Sequence, residues 1–92
     1  MSFVVRFVPK SMSSAQYDQV IKQLEAAGAG SPRGRIFHVA FGPKDALRVS
    51  DIWDTHENFD RFGQVLMPIL QAAGVDPGEP EFIEVHNVVK GT

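Results

Sequence analysis

RIFHVAFGPKDALRVSDIWD, residues 35–54, is the stretch on which the fold turns. Two runs rich in β-branched and aromatic residues, RIFHVAF (35–41) and LRVSDIWD (47–54), flank GPKD (42–45), a turn of the length that joins antiparallel neighbours. The pattern predicts a central β-hairpin. Whatever lies on either side must then supply the remaining layer of a small domain.

Upstream, FVVRFV (3–8) reads as a strand that stops at Pro9, because proline has no N–H to give a ladder. Ser13 with Gln16 three residues on forms a capping box. The helix it opens has Tyr17, Val20, Ile21 and Leu24 at i, i+3, i+4 and i+7, one apolar stripe. AAGAGSPRG (26–34) ends that helix at Gly28 and leads into the hairpin. Downstream, Thr55 caps a second helix carrying Phe59, Phe62, Leu66, Ile69 and Leu70, with a kink or restart expected near Gly63 on account of Pro68. GVDPGEP (74–80) is a loop, and FIEVHNVV (82–89) reads as a fourth strand. The order is β-α-β-β-α-β over one domain, residues 1–92, with no repeat or linker.

Composition narrows the functional classes. The chain has 92 residues and no cysteine, so neither disulfides nor zinc thiolates supplement its core. Nine Lys plus Arg against eleven Asp plus Glu give a net charge of −2, which lacks the basic footprint of a nucleic-acid binder. No window approaches the roughly 18 apolar residues of a membrane span. The N-terminus lacks the basic leader and long apolar run of a signal peptide, so a cytoplasmic location is expected.

Side chains alternate across a strand, so each strand can be sorted by parity. One expected face collects Phe3, Val5, Phe7, Phe37, Val39, Phe41, Ile52, Ile83, Val85 and Val89, suited to packing under both helices. The other collects Val4, Arg6, Val8, Ile36, His38, Ala40, Leu47, Val49, Asp51, Trp53, Phe82, Glu84, His86 and Val88. Most of this second set is hydrophobic too, where a solvated face would be polar. With both helices already placed, the economical cover is the same face of a second copy, an isologous homodimer.

The β-α-β-β-α-β order, Pro68, and the segments IFHVAFG, LRVSDIWD with THENFDRF, and VHNVV together resemble the dimeric α+β barrel superfamily over nearly the whole chain. The resemblance implies an α+β, ferredoxin-like antiparallel sheet of strand order four-one-three-two, with two helices on one face and a barrel-like dimer. That superfamily includes cofactor-free antibiotic-biosynthesis monooxygenases, haem-degrading monooxygenases, stress-responsive barrel proteins and short uncharacterised members, which this chain resembles most. The haem-degrading members use an asparagine on the first strand with a tryptophan and a histidine. Here Trp53 matches the tryptophan, but the first strand offers Arg6.

The polar minority of the second face forms the candidate site: His38, Asp51 and His86 as catalytic residues, with Arg6, Trp53 and Phe82 as the ligand-binding set. The strand order implied by the resemblance places Arg6 near Asp51. In a functional reading His38 or His86 is a general base oriented by Asp51, Arg6 stabilises an anion, and Trp53 stacks on a flat ligand. In a structural reading Arg6 and Asp51 pair, the histidines are internally satisfied and Trp53 is core. No local spacing of ligands supports a metal site, and no metal or cofactor is expected. Three functions stay open: a barrel binding a small, aromatic ligand, a cofactor-free monooxygenase acting on a planar aromatic or quinone-like substrate, and a purely structural dimer.

Overall fold

The computed structural model describes residues 2–91. The hairpin forms as the sequence dictates: β2 (Arg35–Phe41) pairs antiparallel with β3 (Arg48–Trp53). β1 (Phe3–Phe7) joins the other edge of β3, and β4 (Glu81–Glu84) joins β1, giving one four-stranded sheet of order β2-β3-β1-β4. Two helices complete it, α1 (Ser14–Ala26) and α2 (His56–Ala72). This is the ferredoxin-like α+β arrangement.

Local chemistry explains the helix ends. The Gln16 N–H donates to Ser13 Oγ at 3.1 Å and the Ser13 N–H donates to Gln16 Oε1 at 2.9 Å, a complete capping box. Thr55 Oγ1 accepts from the Asn58 N–H at the start of α2. The expected interruption of α2 does not occur: the helix runs unbroken through Gly63 and Pro68 to Ala72. Phe62 and Leu70 anchor it on either side of Pro68, so tertiary burial outweighs the one hydrogen bond that proline cannot donate. β4 is shorter than the sequence pattern. Phe3 lies opposite Glu84 and the Val85 N–H donates to Ser2 O, while Val88 and Val89 stand exposed.

The register corrects the expected faces. Phe3 pairs with Trp53, Val5 with Asp51 and Phe7 with Val49, and directly opposed residues share a face. Asp51 in turn faces His38, and Val5 faces Phe82. The helix-covered side therefore carries Phe3, Val5, Val49, Asp51, Trp53, His38 and Phe82. The open side carries Val4, Arg6, Phe37, Val39, Phe41, Ile52 and Ile83. The alternation within β1, β3 and β4 is the expected one, but β2, β3 and β4 are phased one residue out against β1. A one-residue slip exchanges whole faces, and two faces of similar hydrophobicity supply no signal against it. The consequence is that Arg6 and Asp51 lie on opposite sides of the sheet and do not pair.

A register shift between Arg35 and Phe37 adds a second correction. Arg35 pairs with Trp53 and Phe37 with Ile52, so Ile36 is the extra residue of a bulge and Arg35 joins His38 on the helix side. Just before it, Gly34 at φ +90° accepts from the Asp54 N–H at 2.9 Å, tying the α1–β2 loop to the start of α2.

A Cβ at Gly34 would stand 2.4 Å from Asp54 Oδ1 and 2.6 Å from Asn58 Nδ2, whereas one at Gly63 meets nothing within 4 Å. Gly34→Ala is expected to destabilise by more than about 1 kcal/mol, and Gly63→Ala to stabilise by up to about 1 kcal/mol. Urea unfolding followed by the fluorescence of Trp53, the one tryptophan, separates the two signs.

Candidate active site

Asp51 is the buried charged residue of the sheet, 4% exposed, and both its oxygens are engaged. Oδ1 lies 2.5 Å from His38 Nδ1, and Oδ2 accepts the Trp53 indole N–H at 3.3 Å. His38 Nε2 is 2.7 Å from the Tyr17 hydroxyl, which α1 brings down over β2. The partners assign the tautomer. An ionised Asp51 requires the proton on Nδ1, so the Nε2 lone pair accepts from the Tyr17 O–H. The result is a hydrogen-bonded chain, Tyr17–His38–Asp51–Trp53, running from helix to sheet.

This chain opens on a cavity of about 60 Å³ between sheet and helices. Its lining is largely aliphatic and aromatic, with Val20, Leu24 and Leu70 from the helices and Phe7 and Val49 from the sheet; the polar groups are those of Tyr17, His38, Asp51 and Arg35. Pro9, Met12, Val75 and Pro77 close one end, where the Lys10 N–H donates to Asp76 O and links the two loops. Arg35 and His38 also line an open surface groove of about 380 Å³, with Ser31, Pro32, Ile36 and Phe37. At roughly 10–15 Å³ per water, the cavity takes a few waters or a dioxygen molecule. A fused ring needs the groove.

The sheet brings together His38, Asp51 and Trp53 and separates the rest. Trp53 is fully buried and does not line the cavity; it holds Asp51 in place and packs against Phe59 and Phe62. Phe82 is 48% exposed on β4, in an aromatic cluster with Phe3, His56 and Phe59. β4 and β2 are opposite edges of the sheet, about 14 Å apart at the usual strand spacing, which keeps Phe82 and the exposed His86 away from His38. Arg6 sits on the open face, opposite Ser50 and Glu81, with its Nε buried and without a hydrogen-bond partner. Tyr17 and Arg35 are the residues that sequence reasoning missed. Tyr17 was counted as one member of an apolar helical stripe, although a half-buried phenol needs a partner for its hydroxyl. Arg35 was hidden by the bulge.

Burial pushes the Tyr17 hydroxyl above the ordinary phenol value of 10.0; the Arg35 charge opposes this and the Asp51 and Asp18 carboxylates add to it. Tyr17 is therefore a neutral hydroxyl at neutral pH.

No protein-family model matches the chain, and no curated protein matches it. Solved structures do. The cofactor-independent oxygenase SnoaB from Streptomyces nogalater is similar at 21% identity and TM-score 0.61, over 98% of this chain and 96% of that one. A candidate antibiotic biosynthesis monooxygenase from Chloroflexus aurantiacus is similar at 17% identity and TM-score 0.65, over 99% of this chain and 100% of that one. A protein of unknown function from Nitrosomonas europaea is similar at 14% identity and TM-score 0.60, over 99% and 93%. The chain thus has the ferredoxin-like α+β fold of antibiotic-biosynthesis monooxygenase structures. At these identities the likeness establishes the fold, and function has to be argued from the site.

Tyr17 is the one tyrosine, so its ionisation can be read directly by ultraviolet absorbance. Its midpoint is expected above 10.0 in the folded protein and back near that value in urea. Because the folded value is the higher, the associated stability is present below about pH 10 and is lost as pH rises through the folded midpoint. A folded midpoint at or below the urea value contradicts the burial of the hydroxyl.

Proposed function

We propose that the protein is a cofactor-independent monooxygenase acting on an enolisable or phenolic planar ring. The observation that carries this reading is the Tyr17–His38–Asp51 chain ending in an apolar cavity with room for dioxygen. The likeness to SnoaB supports it at the level of fold.

The chemistry uses the substrate's own electrons. The substrate O–H gives its proton to the Tyr17 oxygen while the Tyr17 O–H proton passes to His38 Nε2, and Asp51 stabilises the imidazolium. The enolate left behind is electron-rich enough to reduce dioxygen by one electron, and the two radicals join in a new C–O bond. His38 returns its proton to the distal oxygen, giving a hydroperoxide. Loss of the remaining C–H proton and cleavage of O–O release water and leave a carbonyl. In sum CH2 plus O2 becomes C=O plus H2O. Apolar walls favour the neutral gas and keep bulk water from protonating the enolate.

Asp51→Asn keeps the shape but presents an amide N–H to His38 Nδ1, which moves the imidazole proton to Nε2 and removes the base. With anthrone as the substrate, wild-type protein is expected to consume one O2 per anthraquinone formed. Asp51→Asn and His38→Ala should lower the rate by about 10²–10⁴-fold. Wild-type rates equal to anthrone's spontaneous oxidation, with binding intact, would leave a non-catalytic binding module instead.

We further infer that a second copy covers the open face of the sheet. Phe37 at 56% exposure and Ile83 at 45% stand beside Val39, Phe41 and Ile52, an apolar patch of the kind a partner buries. Arg6 and Glu81 on the same face are complementary charges for an isologous contact, and a partner's acceptor would satisfy Arg6 Nε. Sedimentation at micromolar concentration is expected to give a dimer that Val39→Asp converts to a folded monomer. A wild-type monomer overturns this.

A further inference from the structure

Arg35 holds a position that the oxygen chemistry does not use. The bulge at Ile36 turns it to the helix side, where it lines both the inner cavity and the outer groove, together with His38. Bulges beside functional sites serve to re-aim a side chain in this way. Its guanidinium is fixed from two directions: Nη2 donates to Gly30 O at 3.1 Å, and Cζ lies 5.5 Å from the centre of the Phe62 ring. Among the described residues the ion pairs are Lys10–Asp76, His38–Asp51 and Arg61–Glu57, so no carboxylate neutralises Arg35. Both oxygens of Asp51, the acid of the cavity lining, are taken by His38 and Trp53.

A half-buried cation that is held in place, carries spare N–H donors and has no counter-ion is a receptor for an anion. The planar fork of arginine matches a carboxylate in particular, through two parallel N–H···O bonds. We infer that Arg35 anchors a carboxylate of the ligand in the groove, so that the substrate is an aromatic acid bearing a phenol or enol rather than a neutral ring. The carboxylate lies on Arg35 and the acidic hydroxyl points along the shared wall to Tyr17 and His38. Arg35 is a specificity-determining residue in this arrangement and takes no part in proton transfer. That its charge lowers the Tyr17 hydroxyl pKa agrees with the two groups being near one another.

The inference rests on the cavity and groove being a substrate site, and it can be tested without turnover. Salicylate and salicylamide have nearly the same shape and the same phenol, and differ in the charge of the carboxyl derivative. Titration calorimetry of the full chain with each, together with NMR shifts of the His38 ring to locate the site, gives the ratio of affinities. Wild-type protein is expected to bind salicylate at least about tenfold tighter, Arg35→Gln to bring the ratio to about one, and Arg35→Lys to keep part of it. If Arg35 only clamps Gly30, Arg35→Gln lowers stability and leaves the ratio unchanged, which overturns the inference. So do equal affinities in the wild type, absence of binding by either compound, or binding that leaves His38 unshifted. Should Arg35→Gln not fold, the wild-type ratio and its retention in Arg35→Lys decide. An Arg35-dependent preference with no catalysed oxidation of either anthrone or an anthrone carboxylic acid keeps the anchor and removes the oxygenase. Oxidation of anthrone with no such preference does the reverse.

Discussion

Burying the carboxylate of Asp51 constrains the rest of the site. A charge in the interior is costly unless every strong acceptor position finds a donor, and removing one partner of such a group typically costs about 3–5 kcal/mol. Asp51 sits at the centre of β3, a central strand of the sheet, with β2 on one side and β1 on the other. Its donors come from its own strand, through Trp53, and from the neighbouring strand, through His38. This demand sets the orientation of the imidazole, and the imidazole then leaves one nitrogen as an acceptor for Tyr17. A requirement of electrostatic satisfaction thus fixes the direction of each hydrogen bond from Tyr17 to Asp51.

The same sheet is apolar on both sides, with different consequences. On the helix side, Phe3, Val5 and Trp53 pack against Val20, Leu24, Phe62 and Leu70, and the small space left over is the cavity. That space is too small for a ring, whereas the open groove across Arg35 and His38 is larger. On the open side the apolar side chains have nothing above them in the single chain. The orphaned Nε of Arg6 lies on this side. The sheet therefore separates its polar groups, Arg6 on one face and Asp51 on the other, although strand parity alone groups the two together.

What the sequence determined by itself is the set of local elements and their order. The hairpin at 35–54, the Ser13 and Thr55 caps, the helical stripes and the strand propensities are all effects of near neighbours along the chain, and each formed where the pattern put it except that β4 stops at Glu84. The prominence of His38, Asp51 and Trp53 was also legible, because charged, imidazole and indole groups inside apolar strands stand out. Only the tertiary structure decided how strands were phased against one another, and hence which face each residue joined. Register depends on pairing between residues far apart in sequence, and with both faces apolar a one-residue slip leaves the hydrophobic pattern almost unchanged. Tyr17 and Arg35 entered the site for the same reason. One came from packing α1 across β2, the other from a bulge that reverses parity at Ile36, and neither event leaves a mark on local periodicity. Phe82 and His86 dropped out because sheet order sets them at the opposite edge, a distance that no pattern within a strand encodes.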